Sequence, residues 1–132
     1  MRALTLITLT LSILFLQAKG KDKEPRKDTS GTEKVELSAQ GNPPGTMKFT
    51  KSEIKIKAGQ PIQLTFKNPD VLQHNLLILK PGTTAKVGTL ADAMLADPEA
   101  MKKSYVPKSP DILHSTKLVN PGGQAVLNFT IT

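Results

Sequence analysis

Between Val35 and Thr132, apolar and polar residues alternate with a period of two in short runs that Gly and Pro interrupt. Such alternation predicts strands that bury one face and expose the other. The alternating apolar positions are Val35 and Leu37, Met47 and Phe49, Ile54 and Ile56, Ile62, Leu64 and Phe66, and Ala125, Leu127, Phe129 and Ile131. A more continuous apolar run, His74–Leu79, predicts a central strand covered on both faces. With strand character resuming at Leu113 and at Lys117–Val119, the sequence predicts an all-β protein, an antiparallel β-sandwich of about seven strands.

One segment departs from the period of two. It places apolar residues at i, i+3, i+4, i+7 and i+8, the spacing of one helix face. These residues are Val87, Leu90, Ala91, Met94 and Leu95. Asp97 followed by Pro98 is typical of a helix start, which predicts a second short helix after the first. The sandwich is therefore expected to carry a small helical flap.

The first 20 residues have the composition of a signal peptide. Arg2 supplies a positive charge, an uncharged and mostly apolar run extends from Ala3 to Leu16, and Ala18 and Gly20 are the small residues that precede a cleavage site. The run is short for a membrane span, although an uncleaved anchor is the alternative. We expect residues 1–20 to be removed, residues 21–34 to be a charged linker, and residues 35–132 to be the domain, which is exported to the periplasm or secreted.

Composition excludes several kinds of site. The chain has no Cys, so disulfides, thiolate nucleophiles and cysteine-bound metals cannot be built from it, and a lipoprotein anchor is excluded as well. The net charge is +7, but the lysines are spread along the strands without interleaved aromatic residues, so no nucleic acid partner is expected. The sequence shows no carboxylate pair suited to acid–base catalysis, no phosphate-binding loop and no nucleophile elbow, and we expect the protein not to be an enzyme.

The two histidines, His74 and His114, are the only candidates for metal or base chemistry. Neither lies in an HxH, HxxxH or HExxH spacing. Taken alone, each is more often a surface or core residue than a ligand.

The order of the motifs resembles that of azurin-like cupredoxins. The stretch MKFTKSEIKIKAGQPIQLTFKNPDVLQHNLLILKPG resembles the first half of that family, in which a strand begins with a copper-ligand histidine followed by Asn. His74 and Asn75 stand in that place. The segment Val87–Lys103 resembles the family's helical flap, and HSTKLVNPGGQAVLNFTIT resembles the strand pair that follows it. The resemblance covers Met47 to Thr132.

This resemblance implies a Greek-key cupredoxin fold and a type 1 copper site that transfers single electrons to redox partner proteins such as cytochromes. Such a site joins two imidazoles, a thiolate and a weak axial Met. By resemblance, His74 is one metal ligand, Asn75 holds the ligand loop in place, and the backbone carbonyl of Gln73 is an axial contact. His114 matches a position outside the copper site. The family's Cys, second His and Met come from a loop near the C-terminus that this chain does not contain.

Several expectations follow from the missing loop. The fold is expected to lack its C-terminal strands, and an exposed edge strand at Ala125–Ile131 or its neighbour is expected to cause partial unfolding or self-association. No stable membrane span is expected after signal cleavage. The alternatives to a copper protein are a copper-free β-sandwich binding module, a non-functional truncated fragment, or a loose Cu(II) site built on His74 with water or a second subunit.

Overall fold

The computed structural model describes residues 31–132 and the backbone of four short strands within the first 30 residues. These four are β1 (Arg2–Ala3), β2 (Thr5–Thr8), β3 (Ser12–Ile13) and β4 (Arg26–Lys27). The predicted cleavage position after Gly20 lies outside the described residues. Within the described part of the chain, no helix is long and apolar enough to cross a membrane.

Six further strands and one helix build the domain. They are β5 (Glu33–Ser38), β6 (Lys55–Ile56), β7 (Pro61–Lys67), β8 (Leu77–Leu79), α1 (Thr84–Ala93), β9 (Ile112–Ser115) and β10 (Gln124–Thr130). One four-stranded sheet has the order β10-β7-β5-β4, the other has the order β3-β2-β8-β9, and β1 pairs with β6. The main core contains buried residues from both four-stranded sheets, so the predicted β-sandwich with one helical insertion is confirmed.

One strand pair of the sandwich departs from the predicted antiparallel arrangement. Strands β5 and β7 run parallel, with Val35 beside Leu64 and Leu37 beside Phe66. The register matches the alternating positions of both strands, so their apolar side chains face the same core. Strand β5 also begins at Glu33, two residues before the predicted start of the domain, and Glu33 is buried.

The alternation within β7 and β10 gives two different degrees of burial. Ile62, Leu64 and Phe66 of β7 are almost completely buried, as a strand flanked on both sides should be. Strand β10 is at the edge of its sheet, and of its apolar positions only Phe129 is buried, whereas Leu127 is half-buried. The predicted exposed edge at Ala125–Ile131 is therefore present in the described fold.

The run before and through β8 is buried on both faces, as predicted. Leu76 and Ile78 belong to the main core between the sheets. Leu77 and Leu79 face the other way, into a smaller cluster that Val87 and Ala91 of α1 cover. The regular strand is shorter than the predicted run, because His74 contributes only an isolated bridge to Val119.

The predicted strands at Met47–Phe49 and Ile54–Ile56 are mostly absent from the described fold. Phe49 forms a single bridge with Ala39, and regular pairing is limited to the two residues of β6. Ile54, Ile56 and Phe49 are nevertheless buried. These buried positions were thus identified correctly, but the backbone around Phe49 pairs over a single bridge, with bonds from the Gln40 N–H to the Lys48 carbonyl and from the Thr50 N–H to the Ser38 carbonyl.

The helical flap, residues 83–105, differs from its prediction in two ways. Val87, Ala91 and Met94 are buried, but Leu90 is 37% exposed and Leu95 is 61% exposed. A 3-10 helix, Met94–Ala96, follows α1 directly and rotates Leu95 off the buried face. The second predicted helix is replaced by consecutive turns, in which the Asp97 carboxylate accepts a hydrogen bond from the Glu99 N–H.

Candidate metal-ligand site around His74

The histidine loop, residues 68–74, follows β7 and ends at the candidate ligand, three residues before β8 begins. Asn68 at its start is buried, and its side-chain amide donates to the carbonyls of Leu72 and Val119. Its own Oδ1 accepts from the Asp70 N–H. One buried amide therefore fixes the path of the loop and joins it to the chain segment beside His74.

His74 is held by its backbone and its ring. Its N–H donates to the Val119 carbonyl at 3.1 Å, and its carbonyl accepts from the Val119 N–H at 2.7 Å. Its ring Nε2 lies 2.8 Å from Oδ2 of Asp70, and both side chains are almost completely buried, at 1% and 0% exposure. The backbone bonds therefore fix the position of residue 74, and Asp70 orients its imidazole.

Asp70 joins three parts of the chain through its two carboxylate oxygens. Oδ1 accepts from the Gly45 N–H at 2.8 Å and from the Val71 N–H at 2.8 Å, while Oδ2 contacts His74. The Gly45 N–H and the His74 ring hold the pKa of the Asp70 carboxyl below its usual range, although burial acts in the opposite direction. The side chain is therefore a carboxylate at neutral pH.

Gly41 allows the histidine loop to approach this closely. A Cβ atom at position 41 would lie 2.7 Å from the carbonyl oxygen of Pro69 and 3.1 Å from the backbone nitrogen of Asp70. Backbone atoms cannot give way as a flexible side chain can. Only glycine at this position leaves room for the turn that delivers Asp70 to His74.

The tautomer of His74 follows from the carboxylate. Since a carboxylate only accepts hydrogen bonds, Nε2 must carry the proton that it donates to Asp70. In the neutral ring, Nδ1 is then the nitrogen with the lone pair, which is the form that binds metals. Ligating histidines in metalloproteins are commonly oriented by a carboxylate on the opposite ring nitrogen, as here.

Asn75 contacts the helical flap. Its Nδ2 donates to the carbonyl of Ser104 at 2.6 Å, and Asn75 is completely buried. Ser104 and Tyr105 both have φ of 54°, a left-handed conformation that non-glycine residues rarely adopt. The bond from Asn75 therefore fixes the end of the flap beside the candidate ligand.

Gln73 and His114 have separate surroundings. The Gln73 side chain donates to Oδ1 of Asn120 at 2.6 Å, which joins the histidine loop to the turn before β10. The His114 ring stacks on Phe129 with centroids 4.8 Å apart, and burial lowers the pKa of His114. His114 pairs with Ile78 in the sheet, whereas His74 bridges to Val119, so the two imidazoles occupy different positions along the sheet.

The donor set can be compared directly with that of a type 1 copper site. His74 has the chemistry of one imidazole position, because Asp70 accepts from Nε2 and a metal would bind the neutral ring through Nδ1. The chain has no Cys to supply the thiolate. Within residues 31–132, no three His, Asp or Glu side chains come together as a metal cluster. The residues of this chain therefore do not fit a complete type 1 site by themselves.

Sequence reasoning missed two residues of this site, Asn68 and Asp70. Both precede His74 in Asn68-Pro69-Asp70, a composition typical of a turn. The available signal was a carboxylate four residues before a candidate ligand, directly after a turn. That spacing alone does not distinguish a carboxylate bonded to the ring from one exposed to solvent.

Comparison with known proteins relates the chain to auracyanins; no protein-family model matches it. Auracyanin-A of Chloroflexus aurantiacus is 28% identical over 135 residues, which cover 98% of this chain and 81% of the relative.

The solved structures agree. Dithionite-reduced auracyanin from Roseiflexus castenholzii is 30% identical, with a TM-score of 0.62 over 74% of each chain. Auracyanin A from Chloroflexus aurantiacus, described as a "blue" copper protein, is 29% identical, with a TM-score of 0.64 over 76% of this chain and 79% of that one. Auracyanin B, at 21% identity and a TM-score of 0.60, supports the fold alone.

Proposed function

Since the chain belongs to the cupredoxin family, with the auracyanins as its relatives, we propose that its domain serves copper binding and single-electron transfer, with His74 as a copper ligand. The observation that carries this proposal is the contact between His74 Nε2 and the buried Asp70 carboxylate. It leaves Nδ1 as the coordinating nitrogen and fixes the direction in which that nitrogen points. A fixed ligand keeps the geometry similar in both oxidation states, which electron transfer requires.

The thiolate of a blue copper site has to come from outside these 132 residues. A blue site needs a thiolate, and the chain has no Cys. The chain supplies the histidine, the carboxylate that orients it, and Asn75, for which we propose the role of holding the ligand-bearing segment or the flap against the site. The backbone carbonyl of Gln73 is proposed as an axial contact.

The cellular setting is proposed on the same basis. The apolar N-terminal segment favours export to the periplasm or beyond. There the domain would act as an electron carrier for redox proteins such as cytochromes rather than as an enzyme.

The test is to complete the ligand set. The chain is extended at its C-terminus with the Cys-, His- and Met-bearing segment of an auracyanin, and Cu(II) is added. We expect the intense blue absorption of a copper–thiolate bond in the extended chain and none in the chain of 132 residues.

The two histidines provide a matched control. His74→Gln in the extended chain should abolish or strongly shift the blue band, whereas His114→Gln should leave it unchanged. An unchanged spectrum in His74→Gln would rule out His74 as the ligand. A blue band from the unextended chain would contradict the assignment of the site.

A copper-free binding module is the second candidate. It is favoured by the absence of Cys from the chain and of a three-residue metal cluster from residues 31–132. If the extended chain folds as a monomer but binds Cu(II) no better than its His74→Gln variant does, this second function is supported instead.

A further inference from the structure

Strand β8 has a neighbour on each side. On one side it pairs antiparallel with β9. On the other it pairs antiparallel with β2, with Thr5 opposite Leu79, Leu6 opposite Ile78 and Ile7 opposite Leu77. Strand β2 belongs to the apolar N-terminal run that the sequence predicts to be an export signal. The sheet that follows His74 is therefore completed by the start of the chain.

The buried state of β8 explains why its second edge requires a partner. Leu77, Ile78 and Leu79 are all 0–1% exposed, so water has little access to the strand from either face. Backbone N–H and C=O groups left unpaired in such surroundings are costly. An edge of this kind accepts an extended strand readily, as in recognition by strand addition.

The N-terminal segment is paired at three places. Besides β2 with β8, β3 pairs with β2 through Ile7 opposite Ile13, and β1 pairs with β6 through Ala3 opposite Lys55. The hairpin of β2 and β3 extends the sheet by two strands, since the order is β3-β2-β8-β9. One short segment thus contacts two separate parts of the sandwich.

We propose that Thr5–Thr8 is a structural strand of this protein as well as part of its export segment: it occupies the β8 edge and completes the sheet adjoining the candidate metal site. While residues 1–20 remain attached, the edge is closed by the chain itself. Removal of these residues exposes an acceptor for an extended, mainly apolar strand. This proposal does not depend on copper.

Engineered cysteines test the pairing, because the chain has none of its own. Thr5→Cys combined with Leu79→Cys places two cysteines directly opposite in the observed register, where Cβ atoms of paired strands lie about 4.5–5.5 Å apart. The control combines Thr5→Cys with Lys80→Cys, which is offset by one residue and lies just after β8. Both full-length chains are made without export, and oxidation products are identified by non-reducing electrophoresis and mass spectrometry.

We expect an intramolecular disulfide in the Thr5/Leu79 pair and little in the Thr5/Lys80 pair. Equal yields in both pairs, or no disulfide in either, would overturn the proposal. A disulfide that joins two chains would also overturn it, because the strand would then come from a second copy.

Amide exchange in the full-length chain provides an independent measurement. Leu6→Pro removes a backbone N–H and breaks the pairing with Ile78. We expect the amides of Leu77–Leu79 to exchange about tenfold faster in this variant, and to change little in Leu6→Ala, which keeps the backbone N–H. Equal protection in Leu6→Pro and the unmodified chain would overturn the proposal.

Discussion

Replacement of Asp70 tests the candidate site most directly. Asp70→Ala removes the acceptor for three donors: the N–H groups of Gly45 and Val71 and the Nε2–H of His74, each 2.8 Å from a carboxylate oxygen. A buried donor left without an acceptor costs about 1–3 kcal/mol.

The three donors do not contribute equally. The bonds from Gly45 and Val71 are only partly buried, so water can replace part of each, whereas the His74 ring is 1% exposed and lies at the upper end of that range. We therefore expect Asp70→Ala to lower the free energy of unfolding by about 3–5 kcal/mol. This is a large part of the ~5–15 kcal/mol that stabilises a typical domain.

Asp70→Asn separates the stabilising role of this side chain from its effect on the tautomer. If the amide oxygen takes the place of Oδ1, it still accepts from Gly45 and Val71, and the amide nitrogen then faces Nε2 of His74. Since that nitrogen only donates, Nε2 has to become the acceptor and the ring proton moves to Nδ1. We expect a loss of about 1–2 kcal/mol and a change of the His74 tautomer.

Two measurements check this reasoning. Urea unfolding of the full chain gives the change in free energy. The ¹⁵N chemical shifts of the imidazole give the tautomer of His74, with His114 as the internal control. The assignment of Asp70 fails if Asp70→Ala unfolds within about 0.5 kcal/mol of the unmodified chain. It also fails if Asp70→Asn leaves Nε2 protonated.

Three further predictions concern the fold that surrounds the site. Leu64→Ala should lower the free energy of unfolding by about 2–5 kcal/mol, because Leu64 is buried in the main core, whereas Gln63→Ala should change it little. Equal losses in urea unfolding would contradict the assignment of Leu64 to the buried face of β7 and Gln63 to the other face. Gly41→Ala should displace the histidine loop and shift the ring resonances of His74, and unchanged NMR spectra would show that position 41 tolerates a side chain. Because the pKa of the Asp70 carboxyl is lower in the folded state, its contribution to stability is complete above its unfolded-state pKa of about 3.9 and is lost as the pH falls through the folded-state value. Measurements of the unfolding free energy at decreasing pH should show this loss, and Asp70→Asn should lack it.

The sequence predicted the strands well where the alternation of apolar residues and the pairing coincide. In β7 the alternating residues are buried and the strand pairs along its whole length with β5 and β10. Around Phe49 and Ile56 the alternation is equally clear, but regular pairing stops after two residues. Periodicity reports which side chains are buried, and it contains no information on whether a neighbouring strand is available for the backbone.

The helical flap shows a second limit of periodicity. Leu90 and Leu95 have the spacing of the buried face but are exposed: the 3-10 helix turns Leu95 away, and the buried side of α1 at Val87 and Ala91 packs against the small cluster around Leu77 and Leu79. Covering Leu77 and Leu79 requires only a narrow stripe of α1, which Val87 and Ala91 provide. The width of the surface that a helix covers is a property of the tertiary structure.

The sequence allowed the candidate ligand to be predicted, but not the residues that hold it in place. His74 was identified through the resemblance of the motifs around it. Asp70 and Asn68 were missed, because their importance lies in bonds to Gly45 and Val119, which are 25 and 51 residues away along the chain. Such contacts exist only after the loops have been brought together by the sandwich.

These long-range bonds hold the candidate ligand without any contribution from a metal. The orientation of His74 depends on Val119 and Asp70, and Asp70 depends in turn on Gly45, all within the described residues. None of these bonds requires a thiolate or a metal. A ligand-bearing segment would therefore meet an imidazole that is already fixed, and it would have to add donors without rearranging the histidine loop. A copper-free binding module would have the same rigid loop, so the rigidity of His74 does not distinguish the two functions. The absorption spectrum of the extended chain with Cu(II) does distinguish them.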